Sequence, residues 1–473
     1  MQILRVKTDR VDVDFENGMR WGSNKVDLLT GPNGSGKTEV LTTLANYFGF
    51  GKKSSDSDVI RWRDTEAVID ANYPSSTPSD PVRVVAQTFS PFNRFQAPRD
   101  TDITLTDLYS EGWQSDADYV CVGLHRSSRV VGASVAKRTL EQALYRVSEA
   151  RESAVAISQV LGSLNLQRRM ALTYQVRPQL RELAASGEEG MANWISGSLQ
   201  QSPPGTARSS LRRELLRSAS DRVIELLSAA IGVIRHELDS GNRIVREFDF
   251  TESRSTLDFA VLQSLAVLRR FDLLTLKACE LRSKTGPAFD VAAASSGQQQ
   301  MLCSVIGIAT ATRPKSLVLI DEPELSLHPR WQMVFLDNLQ AALAPLNDCH
   351  VVIATHSPLV VQRGSRRGAG IVRIGRDHHS TIAISPKSPQ PVSVETTLID
   401  VFETPVAGSV QLASELFAAV TQGESGKDED REGALARLGQ LRELYSDPDV
   451  GDLKALTFIE QAIKLIEATD SNA

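Results

Sequence analysis

The residues best suited to chemistry form a glycine-rich segment near the start of the chain. An apolar run, 26–30, precedes the segment and a helix-like stretch, 39–48, follows it, so we expect a strand-to-helix turn. In such a turn the backbone N–H groups surround a β-phosphate, Lys37 neutralises the β- and γ-phosphates, and the Thr38 hydroxyl can bind Mg²⁺. The segment comprises Gly31, Pro32, Asn33, Gly34, Ser35, Gly36, Lys37 and Thr38. The sequence therefore predicts a site for ATP and Mg²⁺.

Two acidic residues and one histidine follow later apolar runs. Asp321 and Glu322 come after a run that ends at Ile320, and His356 follows one that ends near Ala354. The carboxyl ends of strands line the ligand crevice of an α/β sheet. There, Asp321 could hold Mg²⁺ through a water, Glu322 could activate the attacking water, and His356 could contact the γ-phosphate. The alternatives are surface charges at a strand end and a structural histidine.

A second candidate phosphate site lies at a predicted helix start. Ser295, Ser296, Gly297 and Gln298 precede the apolar helical run 301–311. Hydroxyls, free backbone N–H groups and the positive end of a helix dipole attract anions, although the same residues suit an ordinary helix cap. Because the first segment already supplies one phosphate site, a second one suggests use on a neighbouring subunit.

The pattern of apolar residues predicts an α/β framework for these sites. Strands are expected before the glycine-rich segment at the edge of one mixed sheet, again at 82–87 and 119–124, and directly before the acidic pair and His356. Between the two groups of strands the composition changes to Ala, Leu, Arg, Glu, Gln and Ser at helical spacing, which predicts an inserted helical lobe. After an acidic linker, 424–432, apolar residues at helical spacing predict a C-terminal helical pair that packs on the core or forms a partner surface.

These patterns divide the chain into four predicted parts. They are the N-terminal half of a nucleotide domain (1–126), the inserted helical lobe (127–285), the C-terminal half of the nucleotide domain (286–400) and a C-terminal helical tail (401–473).

The composition narrows the class of protein. The formal charge of -6, from 52 basic and 58 acidic residues, argues against a protein that coats nucleic acid. The cysteines are far apart in the sequence, which favours neither a zinc site nor disulfides and fits a reducing compartment. No apolar stretch approaches the roughly 20 residues that cross a bilayer. We therefore expect a cytoplasmic protein without membrane contact.

The series of motifs resembles that of the ATP-binding-cassette (ABC) ATPases. Gly31–Thr38 is similar to their Walker A motif, Ser295–Gln299 to the signature, Leu317–Glu322 to Walker B, and His356 to the switch histidine. The resemblance covers about the first 125 residues and about 285–400, and leaves the inserted lobe unmatched.

Two longer runs narrow the resemblance to one branch of that family. Residues 321–329, DEPELSLHP, and 354–358, ATHSP, resemble the branch that contains RecF, the structural-maintenance-of-chromosomes (SMC) proteins and the overcoming-lysogenization-defect (OLD) family. The resemblance implies an ATPase that works as a homodimer or higher homo-oligomer, with Ser296, Gly297 and Gln298 of one subunit closing on ATP held by the other's Walker A segment. Gln298 departs from the usual signature.

The resemblance also suggests a role for Gln87. It stands at the end of a predicted strand and would be the Q-loop glutamine, a ligand of Mg²⁺ and water. The alternative is an ordinary polar residue after a strand.

The resemblance further implies an effector that this chain lacks. OLD chains carry a Toprim nuclease, whereas the acidic residues after His356 lie in the predicted linker, so we expect no nuclease centre here. Segments 90–95 and 119–124 are similar to those in ATPases of antiphage systems such as Septu, which act with a separately encoded HNH nuclease. The expectation is therefore control of a partner effector such as a nuclease, or of DNA engagement, in antiphage defence. Alternatives are a RecF-type repair or chromosome-maintenance ATPase and a nucleotide-gated scaffold.

Two groups of arginines could bind DNA by contacting its phosphate backbone. The alternative is that they form ion pairs on a solvated face of the protein. The groups are Arg208, Arg212, Arg213 and Arg217, and Arg363, Arg366, Arg367, Arg373 and Arg376.

Overall fold

The computed structural model describes residues 2–15, 20–51, 58–64, 67–70, 83–90, 94–96, 119–123, 133–147, 151–201, 220–251, 256–375, 380–382, 393–423, 428–447 and 451–468. The strands are β1 (Gln2–Lys7), β2 (Asp12–Asp14), β3 (Arg20–Trp21), β4 (Asn24–Thr30), β5 (Val59–Asp64), β6 (Ala67–Asp70), β7 (Val84–Thr88), β8 (Tyr119–Gly123), β9 (Leu166–Val176), β10 (Arg243–Asp249), β11 (Leu274–Ser283), β12 (Ala288–Asp290), β13 (Leu317–Asp321), β14 (His350–Ala354), β15 (Gly370–Ile374) and β16 (Ser380–Ile382). The helices are α1 (Lys37–Phe50), α2 (Ala133–Val147), α3 (Arg151–Ser163), α4 (Pro178–Gln201), α5 (Ser220–Ser240), α6 (Thr256–Arg270), α7 (Ser296–Ala311), α8 (Pro329–Leu343), α9 (Pro358–Arg366), α10 (Val394–Asp400), α11 (Val410–Gly423), α12 (Asp428–Tyr445) and α13 (Leu453–Ala468).

A mixed eight-stranded sheet forms the centre of the fold, as the predicted α/β class requires. Its order is β16-β15-β4-β14-β13-β7-β8, with β3 paired to β4. The strands from β15 to β8 run parallel, and β4, β13 and β14 are buried along their whole length because other elements pack on both faces. Early strands of the chain (β4, β7 and β8) are interleaved with late ones (β13, β14, β15 and β16), so both parts of the chain are needed to complete the sheet.

The first strands of the chain form a separate sheet. The expectation that they lie at the edge of one mixed sheet is wrong, because β1 and β2 join β5 and β6 in an antiparallel sheet of order β2-β1-β5-β6. This sheet and α1 share a hydrophobic cluster with one face of the central sheet, including Leu41, Trp62 and Leu319. β5 and β6 are not among the predicted strands, and without them β1 has no partner other than β2.

The inserted segment contains helices, as predicted, and also three strands, β9, β10 and β11, of a four-stranded antiparallel sheet that was not predicted. This sheet has the order β10-β9-β11-β12. Alternate residues of β9 are buried from Met170 to Val176, a strand pattern hidden by the helix-forming residues around it. α2 and α3 pack against α7 and α8, and one hydrophobic cluster runs from these helices into the second sheet. The insertion therefore shares its core with the helical face of the central sheet.

The C-terminal tail is helical, as predicted, although the linker before it is shorter than expected. α12 begins at Asp428, so the acidic segment 424–432 belongs to a helix wherever the structure describes it. Asp428, Glu429 and Asp430 occupy the first turn, where negative charges interact favourably with the helix dipole. α11, α12 and α13 pack together around a small core of their own that includes Leu438, Tyr445 and Ile459.

Two further properties concern membranes and thiols. Within the described ranges, no helix combines the length and the apolar character needed to cross a membrane. The four cysteines, all within those ranges, are buried thiols that form no disulfide bond. Burial raises the pKa of the Cys121 thiol to about 12 and that of Cys349 to about 11, which makes both thiols poor nucleophiles at neutral pH.

A buried polar network connects the antiparallel sheet to the central sheet, at the ends of β4 and β14 opposite the glycine-rich turn. The Ile3 N–H donates to Nδ1 of His350 at 2.9 Å, and His350 Nε2 lies 2.8 Å from Asp27 Oδ2. Because Nδ1 accepts a hydrogen bond, the proton of the neutral ring resides on Nε2 and is donated to Asp27. Lys25 Nζ lies 3.2 Å from the same carboxylate oxygen. Burial, aided by the Lys25 charge, lowers the pKa of His350 to about 4.

This network predicts a loss of stability in mild acid. A histidine with a usual pKa near 6.5 takes up a proton in the unfolded chain before it does so in the fold, so the stabilisation is complete above pH 6.5 and falls as the pH drops toward 4. The full loss would be about 3 kcal/mol. Urea unfolding at pH 7.5 and pH 5 should show a smaller difference for His350→Gln than for the wild type. The control His236→Gln, at an exposed position of α5, should retain the wild-type difference. Equal pH dependence in His350→Gln and the wild type would contradict this assignment.

Candidate functional site

The register of the parallel strands brings three of the predicted motifs to one edge of the central sheet. Asp321, the last residue of β13, pairs with Ala354 of β14, and Ala354 pairs with Leu29 of β4. The chain leaves these strands toward the glycine-rich turn, the acidic pair and His356. Parallel strands end at the same edge, so residues more than 300 positions apart become neighbours.

The glycine-rich segment forms a tight turn between β4 and α1. Gly31 and Gly36 have φ values of 143° and 102°, in the region that favours glycine, and a Cβ on Gly36 would lie 2.3 Å from Val11 Cγ2. The ammonium of Lys37 donates to the carbonyl oxygens of Gly31 and Pro32, both at 2.9 Å. Burial lowers the pKa of Lys37 to about 8, although nearby carboxylates oppose the shift. Asn33 and Gly34 are exposed, whereas Ser35 is buried.

The Thr38 hydroxyl and the Asp321 carboxylate meet directly. Thr38 Oγ1 lies 3.1 Å from Oδ1 and 3.3 Å from Oδ2 of Asp321. Burial and the charge of Glu322 raise the pKa of Asp321 to about 7. Oxygen atoms are the ligands that Mg²⁺ prefers, and Mg²⁺ commonly takes only one or two protein oxygens beside phosphate and water. Both groups therefore fit the predicted ion, and no group of three or more His, Cys, Asp or Glu side chains suited to a metal occurs among the described residues.

Glu322 and His356 face each other at the same edge. Their side chains are each about one-third exposed, and His356 Nε2 lies 3.8 Å from Glu322 Oε1. Burial and the charge of Lys37 lower the pKa of His356 to about 4, so the imidazole is neutral at physiological pH. A neutral ring can donate one hydrogen bond and accept another. Glu322 has a φ of 49°, an uncommon value for a residue with a side chain.

The predicted signature residues lie at the start of α7, and neither Ser296 nor Gly297 forms a hydrogen bond with the glycine-rich turn. Ser295 is the N-cap, and it forms a capping box with Gln298: the Gln298 N–H donates to Ser295 Oγ at 3.3 Å, and the Ser295 N–H donates to Gln298 Oε1 at 3.1 Å. Gln298, which departs from the usual signature, therefore stabilises the helix start. Ser296 and Gly297 lie in the first turn, where the backbone N–H groups have no acceptor within the helix. Both interpretations made from the sequence, helix cap and anion site, are compatible with this geometry.

Three side chains that the sequence analysis did not assign connect these motifs. Glu324 accepts hydrogen bonds from Thr355 Oγ1 at 2.9 Å and from the His356 N–H at 2.5 Å. Gln332 accepts a hydrogen bond from Ser357 Oγ at 2.6 Å, and Gln300 of α7 donates to the carbonyl oxygen of Pro323 at 2.8 Å. The acidic run from Asp321 to Glu324 hinted at a role for Glu324, but its contacts follow from tertiary structure alone.

Gln87 is not brought to the pair formed by Thr38 and Asp321. It is fully buried in β7, opposite Ile320, while Asp321 is opposite Thr88. Because side chains alternate along a strand, Gln87 and Asp321 point to opposite faces of the sheet. Gln87 Nε2 donates to Ser304 Oγ of α7 at 3.0 Å, and its Oε1 has no hydrogen-bond partner among the described residues. Its role as a ligand of Mg²⁺ stays a prediction that this geometry does not support.

Most of the candidate DNA-binding arginines that the structure describes pair with carboxylates of the same chain. Arg363 and Arg367 both contact Asp337, at 2.5 and 2.9 Å, and Arg373 contacts Glu403 at 2.5 Å. These contacts favour the alternative of a face of ion pairs. Arg208, Arg212, Arg213, Arg217 and Arg376 lie outside the described residues.

Comparison with known proteins gives one family match and one curated relative. Residues 193–362, less than half of the chain, match the family model described as "AAA domain, putative AbiEii toxin, Type IV TA system". This range includes the segments that resemble the signature, Walker B and switch-histidine motifs, but not the segment that resembles Walker A. Protein ea59 of Escherichia phage lambda is 29% identical over 156 residues, which span 31% of this chain and 29% of ea59.

Comparison with solved structures gives SMC head domains and RecF. The Smc head domain of Pyrococcus furiosus, with an extended coiled coil and bound to the C-terminal domain of ScpA, overlaps with 80% of this chain and 95% of its own at a TM-score of 0.29 and 10% identity. The recombination mediator protein RecF of the RecFOR pathway (RecF-ATPrS) overlaps with 80% and 97% at a TM-score of 0.28 and 10% identity.

The packing of the signature turn predicts a sensitive position. A Cβ on Gly297 would lie 2.7 Å from the Ser326 carbonyl oxygen and 2.9 Å from Trp331 Cζ3. Gly297→Ala must displace backbone as well as a side chain, so we expect it to lower the free energy of unfolding by about 1–3 kcal/mol in urea titrations. The control Gly232→Ala, in α5 with nothing within 4 Å of the added atom, should be neutral or stabilising by about 0.5–1 kcal/mol. If Gly297→Ala unfolds at the wild-type urea midpoint, Ser326 and Trp331 move to accommodate the added Cβ at little cost in free energy, and the prediction is wrong.

Proposed function

We propose that this protein binds and hydrolyses ATP with Mg²⁺ as an ABC-type ATPase, and that it acts as a nucleotide-dependent dimer controlling a partner effector in antiphage defence. The observation that carries the ATPase proposal is the meeting of Thr38 with Asp321 beside the pair of Glu322 and His356 at one sheet edge. A phosphate-binding turn, an Mg²⁺ site and a base for water are the parts that γ-phosphoryl transfer needs.

The residues divide the chemistry among them. The N–H groups of the turn and Lys37 hold the β- and γ-phosphates. Thr38 and Asp321 would hold Mg²⁺, which would neutralise charge that develops on the phosphate oxygens. Glu322 accepts a proton from the water that attacks the γ-phosphorus as the bond to ADP breaks. The neutral ring of His356 donates a hydrogen bond to a γ-phosphate oxygen.

The dimer is supported by the separation of the two phosphate sites. Ser296 and Gly297 start a helix whose first turn packs against Ser326 and Trp331, and neither residue forms a hydrogen bond with the glycine-rich turn. The free N–H groups of this helix start suit an anion. A second subunit, placed head to tail, brings this helix start to the nucleotide of its neighbour.

The effector proposal rests on resemblance. The description of the matched family refers to a toxin of a type IV toxin–antitoxin system, which fits control of a cellular or phage process. Internal ion pairs of Arg363, Arg367 and Arg373 support a protein effector, such as a separately encoded nuclease, over DNA as the direct partner. Co-expression with the product of a neighbouring reading frame, followed by affinity isolation with and without ATP, tests this part.

Lys37→Ala should abolish nucleotide binding. The substitution removes the cation that faces the phosphates, and it also removes the hydrogen bonds to Gly31 and Pro32 that shape the turn. Binding of MgATPγS, measured by calorimetry, should weaken by at least about 100-fold. Lys464→Ala, an exposed position of α13, is the matched control and should bind as the wild type does. Unchanged binding by Lys37→Ala would exclude this turn as the nucleotide site.

Glu322→Gln should separate binding from hydrolysis. The amide keeps the size of the side chain but cannot take a proton from water, so turnover should fall by about 100-fold or more while MgATP still binds. If the protein forms an ATP sandwich, this variant should elute as a stable dimer with MgATP and as a smaller species without it. Hydrolysis at the wild-type rate would refute the assigned base. An ATP-dependent dimer with negligible turnover in the wild type would instead indicate a nucleotide-gated scaffold.

The composite site predicts a dependence on protein concentration. In an isolated subunit the ATP site is incomplete, because the signature residues come from the neighbouring subunit. Dimers form as the protein concentration rises, so the rate of hydrolysis per subunit should rise and then reach a plateau. Steady-state ATPase assays over a wide dilution series, with sedimentation at the same concentrations, provide the measurement. A fully active monomer would contradict the sandwich.

A further inference from the structure

We propose that Glu324 is a positioning residue that fixes His356 relative to Glu322. This inference deepens the proposed ATPase function and rests on it. Glu324 lies in the loop after β13, and its two carboxylate oxygens bind two consecutive residues after β14. Oε1 accepts the His356 N–H at 2.5 Å, and Oε2 accepts the Thr355 hydroxyl at 2.9 Å.

The sheet itself does not fix His356. The last sheet contacts on this side are the Thr355 N–H with the Leu29 carbonyl oxygen at 3.0 Å and the Glu322 N–H with the Ala354 carbonyl oxygen at 2.9 Å. His356 is the first residue beyond them, and Glu324 is the acceptor of its N–H. Because the imidazole is attached to this backbone, the carboxylate of Glu324 sets where Nε2 lies, 3.8 Å from Glu322 Oε1.

The free-energy cost of removing the Glu324 carboxylate from water supports a functional role for this residue. Glu324 is partly exposed, and burial of its carboxyl group raises its pKa. Among the described residues it forms no direct ion pair, so the two hydrogen bonds and the more distant charge of Lys37 offset the loss of hydration. Because losing these hydrogen bonds would cost free energy, the carboxylate favours one arrangement of the segment after β14.

A second set of contacts extends the same connection. The Ser357 N–H donates to Thr355 Oγ1 at 3.0 Å, and Ser357 Oγ donates to Gln332 Oε1 at 2.6 Å. Gln332 Nε2 in turn donates to the Leu327 carbonyl oxygen at 3.0 Å. The segment from Thr355 to Ser357 is therefore held by side chains of the loop and helix that follow the acidic pair.

Substitutions of Glu324 and Thr355 distinguish a geometric role of Glu324 from a purely electrostatic one. Glu324→Ala removes both acceptors. Glu324→Gln keeps an oxygen for the His356 N–H and can donate its amide to Thr355 Oγ1, but it removes the negative charge that acts on Lys37 and Asp321. Thr355→Val keeps the shape of the side chain but removes one of the two hydrogen bonds to Glu324 and also the acceptor of the Ser357 N–H. Glu460→Ala, exposed on α13, is the control for loss of a carboxylate.

Steady-state hydrolysis of MgATP is the first measurement. A misplaced catalytic group can cost up to about 100-fold, so Glu324→Ala should lower kcat by about 10- to 100-fold while KM and the affinity for MgATPγS change by less than about threefold. Thr355→Val should lie between Glu324→Ala and the wild type, and Glu324→Gln and Glu460→Ala should stay near the wild type. If Glu324→Gln hydrolyses ATP as slowly as Glu324→Ala, the effect comes from the charge of Glu324 and the positioning proposal is wrong. An unchanged kcat in Glu324→Ala would also overturn the proposal.

Hydrogen exchange of the His356 amide is the second measurement, and it does not require ATPase activity. Loss of the acceptor in Glu324→Ala should accelerate exchange of this amide by about tenfold or more, while amides of β14 exchange at the wild-type rate and Glu324→Gln retains protection. Unchanged protection in Glu324→Ala overturns the inference even if the protein is an ATPase. If the wild type hydrolyses no ATP, the proposed function fails, while loss of protection still establishes the contact.

Discussion

The site depends on the register of the parallel strands β4, β14 and β13. Pairing of Ala354 with both Leu29 and Asp321 places the ends of these strands side by side, so that the turn, the acidic pair and the histidine emerge together. A slip of one residue would turn Asp321 to the other face of the sheet, toward α7, and would separate it from Thr38. The buried apolar side chains of these strands fix this register, because every residue of β13 and β14 is covered by packing on both faces.

The network around His350 acts on the same strands from their other end. It ties Ile3 of the antiparallel sheet to β14, and Lys25 and Asp27 of β4 take part in it. Polar groups without water are costly unless each finds a partner, so such a network tolerates few alternative arrangements. The two sheets that enclose α1 are thus connected specifically at one end and packed through apolar contacts along their length.

The sequence was sufficient for the parts of the site that are local in the chain. The turn at Gly31–Thr38 follows from its glycines and its flanking elements, the strands before Asp321 and His356 follow from their apolar runs, and the helix at Ser296 follows from its cap. Contacts between distant segments could not be predicted in this way. Nothing in the spacing shows that Glu324 reaches the His356 backbone, or that Gln87 points to the face of the sheet opposite Asp321. The sheet of the inserted segment was missed for a related reason, because residues with high helix propensity surround a strand whose partners are remote in sequence.

At Glu322, stability and the proposed activity favour different residues, because the backbone is left-handed there and the proposed reaction needs a carboxylate. A residue with a side chain pays roughly 1–2 kcal/mol to adopt such a conformation, and a glycine would avoid this strain. The proposed base is therefore retained at a position where its backbone is unfavourable, and β-branched residues would fit there worst of all. Glu322→Gly would change two quantities at once, relief of backbone strain and loss of the carboxylate, which affect stability and activity in opposite directions, whereas Glu322→Gln removes the carboxylate and leaves the strain in place.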